Sequence, residues 1–220
     1  MIGENLIKVK NSIPENVNLI AVSKTKPISM IRDVYNAGQL DFGENKVQEL
    51  INKQPELPQD IRWHMIGHLQ SNKVKYIAPF IHMIHGVDSF KLLKEINKQG
   101  KKHNRTINCL LQFHIAQEST KFGLTYEEAI AIIENELFPT LKNISICGVM
   151  GMATFSNDQD LVLNEFGSLN EIFTKLAKHP SINNAFKTIS MGMSNDYELA
   201  IQKGSNMVRI GSKIFGARIN

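Results

Sequence analysis

The chain has 220 residues, 42% of them hydrophobic and 21% charged, which is enough to bury the core of one domain and excludes global disorder. Its formal net charge is +4, but the densest basic stretch, residues 98–105, reads as a helix end and loop, so nucleic acid is not an expected partner. Two cysteines, Cys109 and Cys147, sit in apolar strand-like runs and exclude a disulfide scaffold; no segment reaches membrane-spanning length and no leader pattern opens the chain, so no membrane partner and a cytoplasmic location are expected.

A helix over roughly residues 4–12 precedes the first apolar run, 19–23. Seven further runs follow, at 40–43, 63–66, 81–87, 107–113, 144–150, 188–191 and 207–210. Helix-period segments separate them. Residues 28–37 end at Gly38, a C′ glycine. Asp88-Ser89 reads as an N-cap. Thr125 with Glu128 forms a capping box ahead of Ala129, Ile130, Ile133 and Leu137. Val162, Phe166, Leu169, Phe173 and Leu176 make one helical stripe. Asn195 with Glu198 opens another helix, closed by Gly204. Eight strands alternating with helices imply a parallel sheet, and eight strands close a barrel. The expected class is α/β: a single-domain (β/α)8 TIM-like barrel with an extra N-terminal helix, spanning residues 1–220. A doubly wound open sheet would want a G-x-G-x-x-G turn after its first strand, and the sequence has none there.

Barrels of this kind place their chemistry at the C-terminal strand ends. Alternation puts Ile20, Val22 and Lys24 on one face of the first strand. If that face points inward, Lys24 stands at the mouth as a partly desolvated amine suited to nucleophilic work; otherwise it is a solvated strand-end lysine. Lys26 shares the parity but lies in the turn before Pro27. The turns after strands seven and eight, at Ser194 and at Gly211-Ser212, occupy the usual barrel phosphate site, with glycine backbone and serine hydroxyls as donors. Arg209 lies on the last strand. An aldehyde that also carries a phosphate would satisfy both ends. Asn45 either faces the pocket or caps the next helix. Met191 and Met193 either border a bound ring or fill the barrel, core filling being the simpler role. His64 and His68 lie on and just past a strand, do not share a helical face, and make no expected zinc site.

Seven motifs, in order, resemble the pyridoxal phosphate homeostasis protein family: AVSKTKP (21–27), FGEN (42–45), WHMIGHLQSNK (63–73), STKFG (119–123), GVM (148–150), MGMS (191–194) and RIGSKIFGAR (209–218). The resemblance implies a barrel like the N-terminal domain of alanine racemase and pyridoxal 5′-phosphate held as an aldimine on Lys24. It places the phosphate on Ser194, Gly211 and Ser212 and the pyridine nitrogen at Arg209; Asn45 and Met193 complete the expected cofactor contacts. The implied role is non-catalytic: intracellular vitamin B6 homeostasis by a monomer, with pyridoxal phosphate-dependent apo-enzymes as recipients. Met65, His114 and Thr154 depart from the family pattern away from the expected contacts. Two other functions compete. One is a pyridoxal phosphate enzyme, racemase- or decarboxylase-like. Against it, alanine racemases carry a second β domain with a catalytic tyrosine, whereas Tyr35, Tyr76, Tyr126 and Tyr197 all fall in expected helices. The other is a Schiff-base aldolase acting on a phosphorylated sugar, which would lack the cofactor's colour.

Overall fold

Eight parallel strands close on themselves in chain order in the computed structural model, which describes residues 2–118 and 122–217. They are β1 (Asn18–Val22), β2 (Asp41–Glu44), β3 (Arg62–Met65), β4 (Met83–Val87), β5 (Ile107–Phe113), β6 (Ile144–Gly151), β7 (Thr188–Ser190) and β8 (Met207–Ile210). Around them lie α1 (Ile2–Asn11), α2 (Ile28–Asn36), α3 (Val47–Lys53), α4 (Val74–Ile77), α5 (Phe90–Lys102), α6 (Tyr126–Ile133), α7 (Gln159–Ala177), α8 (Tyr197–Gln202) and α9 (Ser212–Phe215). β1 pairs with β8 in the register Ile20↔Arg209, which closes the ring. The expected fold stands, extra N-terminal helix included. No helix among the described residues is long and apolar enough to cross a membrane.

The core has two parts. A large cluster fills the layer between sheet and helices and includes Leu19, Ala21, Ile31, Phe42, Trp63, Leu111 and Phe166. A small one, Ile20, Met83, Leu110, Met150 and Met207, plugs the barrel interior. Ile20 inside and Leu19 and Ala21 outside fix the parity of β1, and with it the inward direction of Val22 and Lys24.

Local signals behaved as their chemistry dictates. Thr125 and Glu128 form the reciprocal capping box of α6, and Ser89 caps α5 by accepting from the Leu92 N–H. Gly38 and Gly204 take φ of 89° and 94° beyond the ends of α2 and α8, where a Cβ would be strained. Two expectations are corrected. The helix expected from Asn195 begins at Tyr197, with Asp196 at its N-cap position; the Asp196 carboxylate accepts from the Met193 N–H and keeps the preceding residues in a turn. Cys109 is buried, as expected, and burial pushes its thiol up. Cys147 is half-buried instead: the β5–β6 register shifts beside it, and Gly148 at φ 152° marks the irregularity.

Candidate functional site

The C-terminal strand ends surround a cavity of about 480 Å³. Lys24, Asn45, Met193, Ser194, Arg209, Gly211 and Ser212, the residues singled out from the sequence, all line it. Val22, which alternation sets on the Lys24 face, and His68 at the mouth also contribute, together with Gln112, Phe122 and Phe155, which the sequence reading missed. Inward parity of β5, with Leu110 inside, would have found Gln112. The mouth rim is apolar and wet at once: Phe155 is 85% exposed and Phe122 55%. His68 stacks on Phe122 at 4.2 Å and bonds Asp88 through Nδ1 at 3.1 Å.

Lys24 follows the buried end of β1. The backbone on either side of it is clamped. The Ser23 hydroxyl donates to Glu44 Oε1 at 2.6 Å, and the Lys53 ammonium donates to the Ser23 carbonyl at 2.8 Å. Lys53 also bonds Glu44 Oε1 at 2.8 Å and Glu49 Oε1 at 2.6 Å, and Glu49 in turn accepts from the Thr25 N–H. Thr25 sits at φ 63°, left-handed and costly for a β-branched residue. Lys26 also lines the cavity, where its ammonium donates to the carbonyls of Phe215, Gly216 and Ala217. Burial raises the Glu44 carboxyl, and the adjacent Lys53 ammonium opposes that shift.

Across the cavity, the turns after β7 and β8 are joined: the Gly211 N–H donates to Ser194 Oγ at 3.2 Å. Ser194 therefore has its own hydroxyl proton to give. Ser212 opens α9, whose first N–H groups lack carbonyl partners within the helix. Gly192 holds the first turn at φ 95°. Its added Cβ would lie 2.7 Å from Ala200 Cβ and 2.9 Å from Tyr197 Cα, so glycine lets α8 pack against the turn. A second glycine, Gly67, lets β3's exit pass 2.4 Å (as Cβ distance) from the Asn45 carbonyl. Asn45 does not cap α3, whose N-cap position is Lys46 with no side-chain bond; it lines the cavity. Met191 is in the core, but Met193 is 37% exposed at the rim, so core filling holds for the first and is corrected for the second.

Arg209 is 3% exposed. Its Nη1 donates to Ser190 O at 2.8 Å and Ser190 Oγ at 2.7 Å, and Nη2 donates to Gly151 O at 3.0 Å. Burial pushes its pKa down to about 10, which leaves it protonated at neutral pH. Met65 packs in the outer core, His114 bonds Glu118 O at 2.8 Å, and Thr154 bonds Glu165; none of the three lines the cavity. Ser119, Thr120, Lys121 and Arg218, quoted within the motifs, lie outside the described residues. His64 and His68 part ways, one in the barrel interior and one at the mouth. Donor atoms of Asp41, His64 and His82 lie within 4.8 Å of one another, but the Asp41 carboxylate already accepts from Arg62 and from His64.

Comparison with known proteins places this geometry. The family model described as "Alanine racemase, N-terminal domain" matches residues 1–219. A pyridoxal phosphate homeostasis protein from Vibrio alginolyticus is 39% identical over 93% of this chain and 88% of its own. The human protein of that name is 38% identical over 91% of this chain and 76% of its own. The structure of PipY from Synechococcus elongatus PCC7942 with PLP bound superposes with a TM-score of 0.87, at 32% identity, over 98% of this chain and 100% of that one. An alanine racemase from Clostridium difficile shares the fold, with a TM-score of 0.76 at 14% identity, covering 100% of this chain and 56% of that one.

Proposed function

The chain belongs to the pyridoxal phosphate homeostasis protein family, built on the alanine racemase N-terminal barrel, and from that premise we propose that it binds pyridoxal 5′-phosphate in the mouth cavity and acts as a store and donor of that cofactor. The observation that carries this reading is that Lys24, the joined turns at Ser194 and Gly211-Ser212, and Arg209 line one cavity. An amine, an anion cup and a guanidinium match the aldehyde, phosphate and ring nitrogen of a single ligand, and about 480 Å³ is a small-ligand volume.

The roles follow from the donor inventory. The Lys24 amine condenses with the ligand's aldehyde, releasing water. Ser194 and Ser212 donate to the phosphate, with the opening N–H groups of α9. Arg209 has donors alone, so the ring nitrogen it faces must accept and carry no proton. Asn45 and Met193 border the ring. When bound, the cofactor supplies an electron sink, and an unprotonated ring is a weak one. That favours holding over turnover. So does the lining, which among the described residues includes no tyrosine, leaving no phenol opposite Lys24 to act as a second acid–base group. Residues 1–220 act as one binding domain, in a cytoplasmic monomer whose partners are pyridoxal phosphate-dependent apo-enzymes.

Transfer is the test. Holo-protein mixed with the apo-form of a pyridoxal phosphate enzyme should restore that enzyme's activity, and the holo-protein alone should not racemise alanine. Steady interconversion of D- and L-alanine that is abolished by Lys24→Ala would overturn the store-and-donor reading in favour of an enzyme.

A further inference from the structure

A line of polar side chains crosses the barrel interior beside the small apolar cluster. At the floor, Asp41 opens β2, accepts from Arg62 Nε at 2.7 Å, and borders a separate cavity at that end. His64 Nε2 lies 3.0 Å from Asp41 Oδ1. His64 Nδ1 lies 2.9 Å from His85 Nε2, and His85 Nδ1 lies 3.2 Å from Ser190 Oγ. Ser190 Oγ meets Arg209 Nη1 at 2.7 Å, and Arg209 reaches the mouth cavity. His64 is 1% exposed, and His85 and Ser190 are 0% exposed, so no bulk water breaks the line.

With both imidazoles neutral, the two ends together set every proton in it. A guanidinium has no acceptor, so Ser190 Oγ accepts from Arg209 and keeps its own proton, which a neutral His85 protonated on Nε2 accepts at Nδ1. His85 then carries its proton on Nε2 and donates to His64 Nδ1. His64 in turn carries its proton on Nε2 and donates to Asp41, which as a carboxylate only accepts. All four bonds then point the same way. Burial holds His85 well below the ordinary imidazole range, in keeping with a neutral ring. For the carboxylate, burial alone would raise Asp41, but its bonds to Arg62 and His64 hold it well below the usual range. Reversing the tautomers while His64 stays neutral would set a bare imidazole nitrogen against the carboxylate. A run of aligned bonds in a low-dielectric interior polarises cooperatively, and this one leads from a buried cation to a floor carboxylate.

We propose that Asp41, His64, His85 and Ser190 are positioning residues that fix the Arg209 guanidinium and thereby keep the bound ligand's ring nitrogen free of a proton. This rests on the reading of Arg209 as the ring-nitrogen partner. The bonds to Ser190 and Gly151 hold one edge of the guanidinium and aim its remaining donors at the cavity. Loss of the floor carboxylate would remove the negative end of the line and loosen that aim.

Two measurements test it. In apo-protein labelled with ¹⁵N, histidine side-chain spectra at neutral pH should show His64 and His85 neutral and both protonated on Nε2; a proton on His85 Nδ1 overturns the proposal with no variant needed. In holo-protein carrying pyridoxal phosphate labelled with ¹⁵N in the ring, wild type should show an unprotonated pyridine signal. Asp41→Asn and Ser190→Ala should each move it toward the protonated position, while Leu110→Ala, a core change in the same interior, should not. Signals unmoved in Asp41→Asn and Ser190→Ala but moved in Arg209→Met would refute the relay and spare the Arg209 assignment. A signal unmoved even in Arg209→Met would refute that assignment itself.

Discussion

Replacing Lys53 by methionine deletes an ammonium from beneath Lys24 and keeps most of its apolar stem. Lys53 Nζ lies 2.8 Å from Glu44 Oε1, and the two side chains are 8% and 0% exposed. At an effective dielectric of about 20, the gross attraction at that distance is about 6 kcal/mol. Most of it is offset by the cost of desolvating both charges. The net pair is therefore worth little, but stranding one partner costs about 3–5 kcal/mol. Glu49 can turn toward solvent, whereas Glu44 cannot. Burial already raises the Glu44 carboxyl, and without Lys53 it rises further. For a carboxyl whose folded pKa is raised, the penalty is full above the folded value and fades as pH falls toward the unfolded one. Urea unfolding of apo-Lys53→Met should thus show a loss of about 3–4 kcal/mol at pH 8 and a visibly smaller loss at pH 5.5. Adding Glu44→Gln should recover about 2 kcal/mol relative to the sum of the single changes, because a neutral amide strands no charge. A loss below about 1 kcal/mol at pH 8, or strict additivity in the double variant, would refute the clamp.

Hydrogen bonds to a charged phosphate are worth about 1.5–3 kcal/mol each, so the Ser194→Ala, Ser212→Ala double variant should bind pyridoxal phosphate at least tenfold more weakly in equilibrium titration. Pyridoxal, lacking the phosphate, should be a weak ligand of wild type and indifferent to both changes. In Gly67→Ala the new Cβ would meet the Asn45 carbonyl at 2.4 Å, and backbone cannot step aside cheaply; thermal unfolding should report a loss of about 1–3 kcal/mol, together with weaker cofactor binding as Asn45 shifts. Burial lowers His82 to about 4 from 6.5. The unfolded chain therefore takes up that proton first, and stability should fall as pH drops from about 6.5 to about 4. His82→Asn should flatten the slope in chemical denaturation across that window.

The barrel and most of the cavity-lining residues were legible in the sequence because both rest on local rules. Period-two alternation in β1 gave Lys24 its inward direction as soon as Ile20 was inside. The joined turns after β7 and β8 follow from glycine and serine at the ends of two strands that any such barrel places side by side. The start of α8 misled because Asn195 and Glu198 make a plausible cap on their own, and the Asp196 bond to Met193 that overrides it is a detail of the turn. Cys147 misled because the register shift beside it is set by β5 and Gly148 together. Neither the Glu44–Lys53 clamp nor the line from Asp41 to Arg209 was legible. Each joins residues from different strands or helices whose neighbourhood exists only after the ring closes. The trace left in the sequence is polar residues at inward parity, among them Asp41, His64, His85 and Ser190.

The central claim is that Lys24 holds the cofactor. Purified protein loaded with pyridoxal phosphate should absorb visible light as a lysine-linked chromophore, and borohydride should bleach it and fix a pyridoxyl group permanently. Peptide mapping by mass spectrometry should then find that group on Lys24, and Lys24→Ala should carry none. A label confined to Lys26, or a colourless protein with no label, would contradict the account.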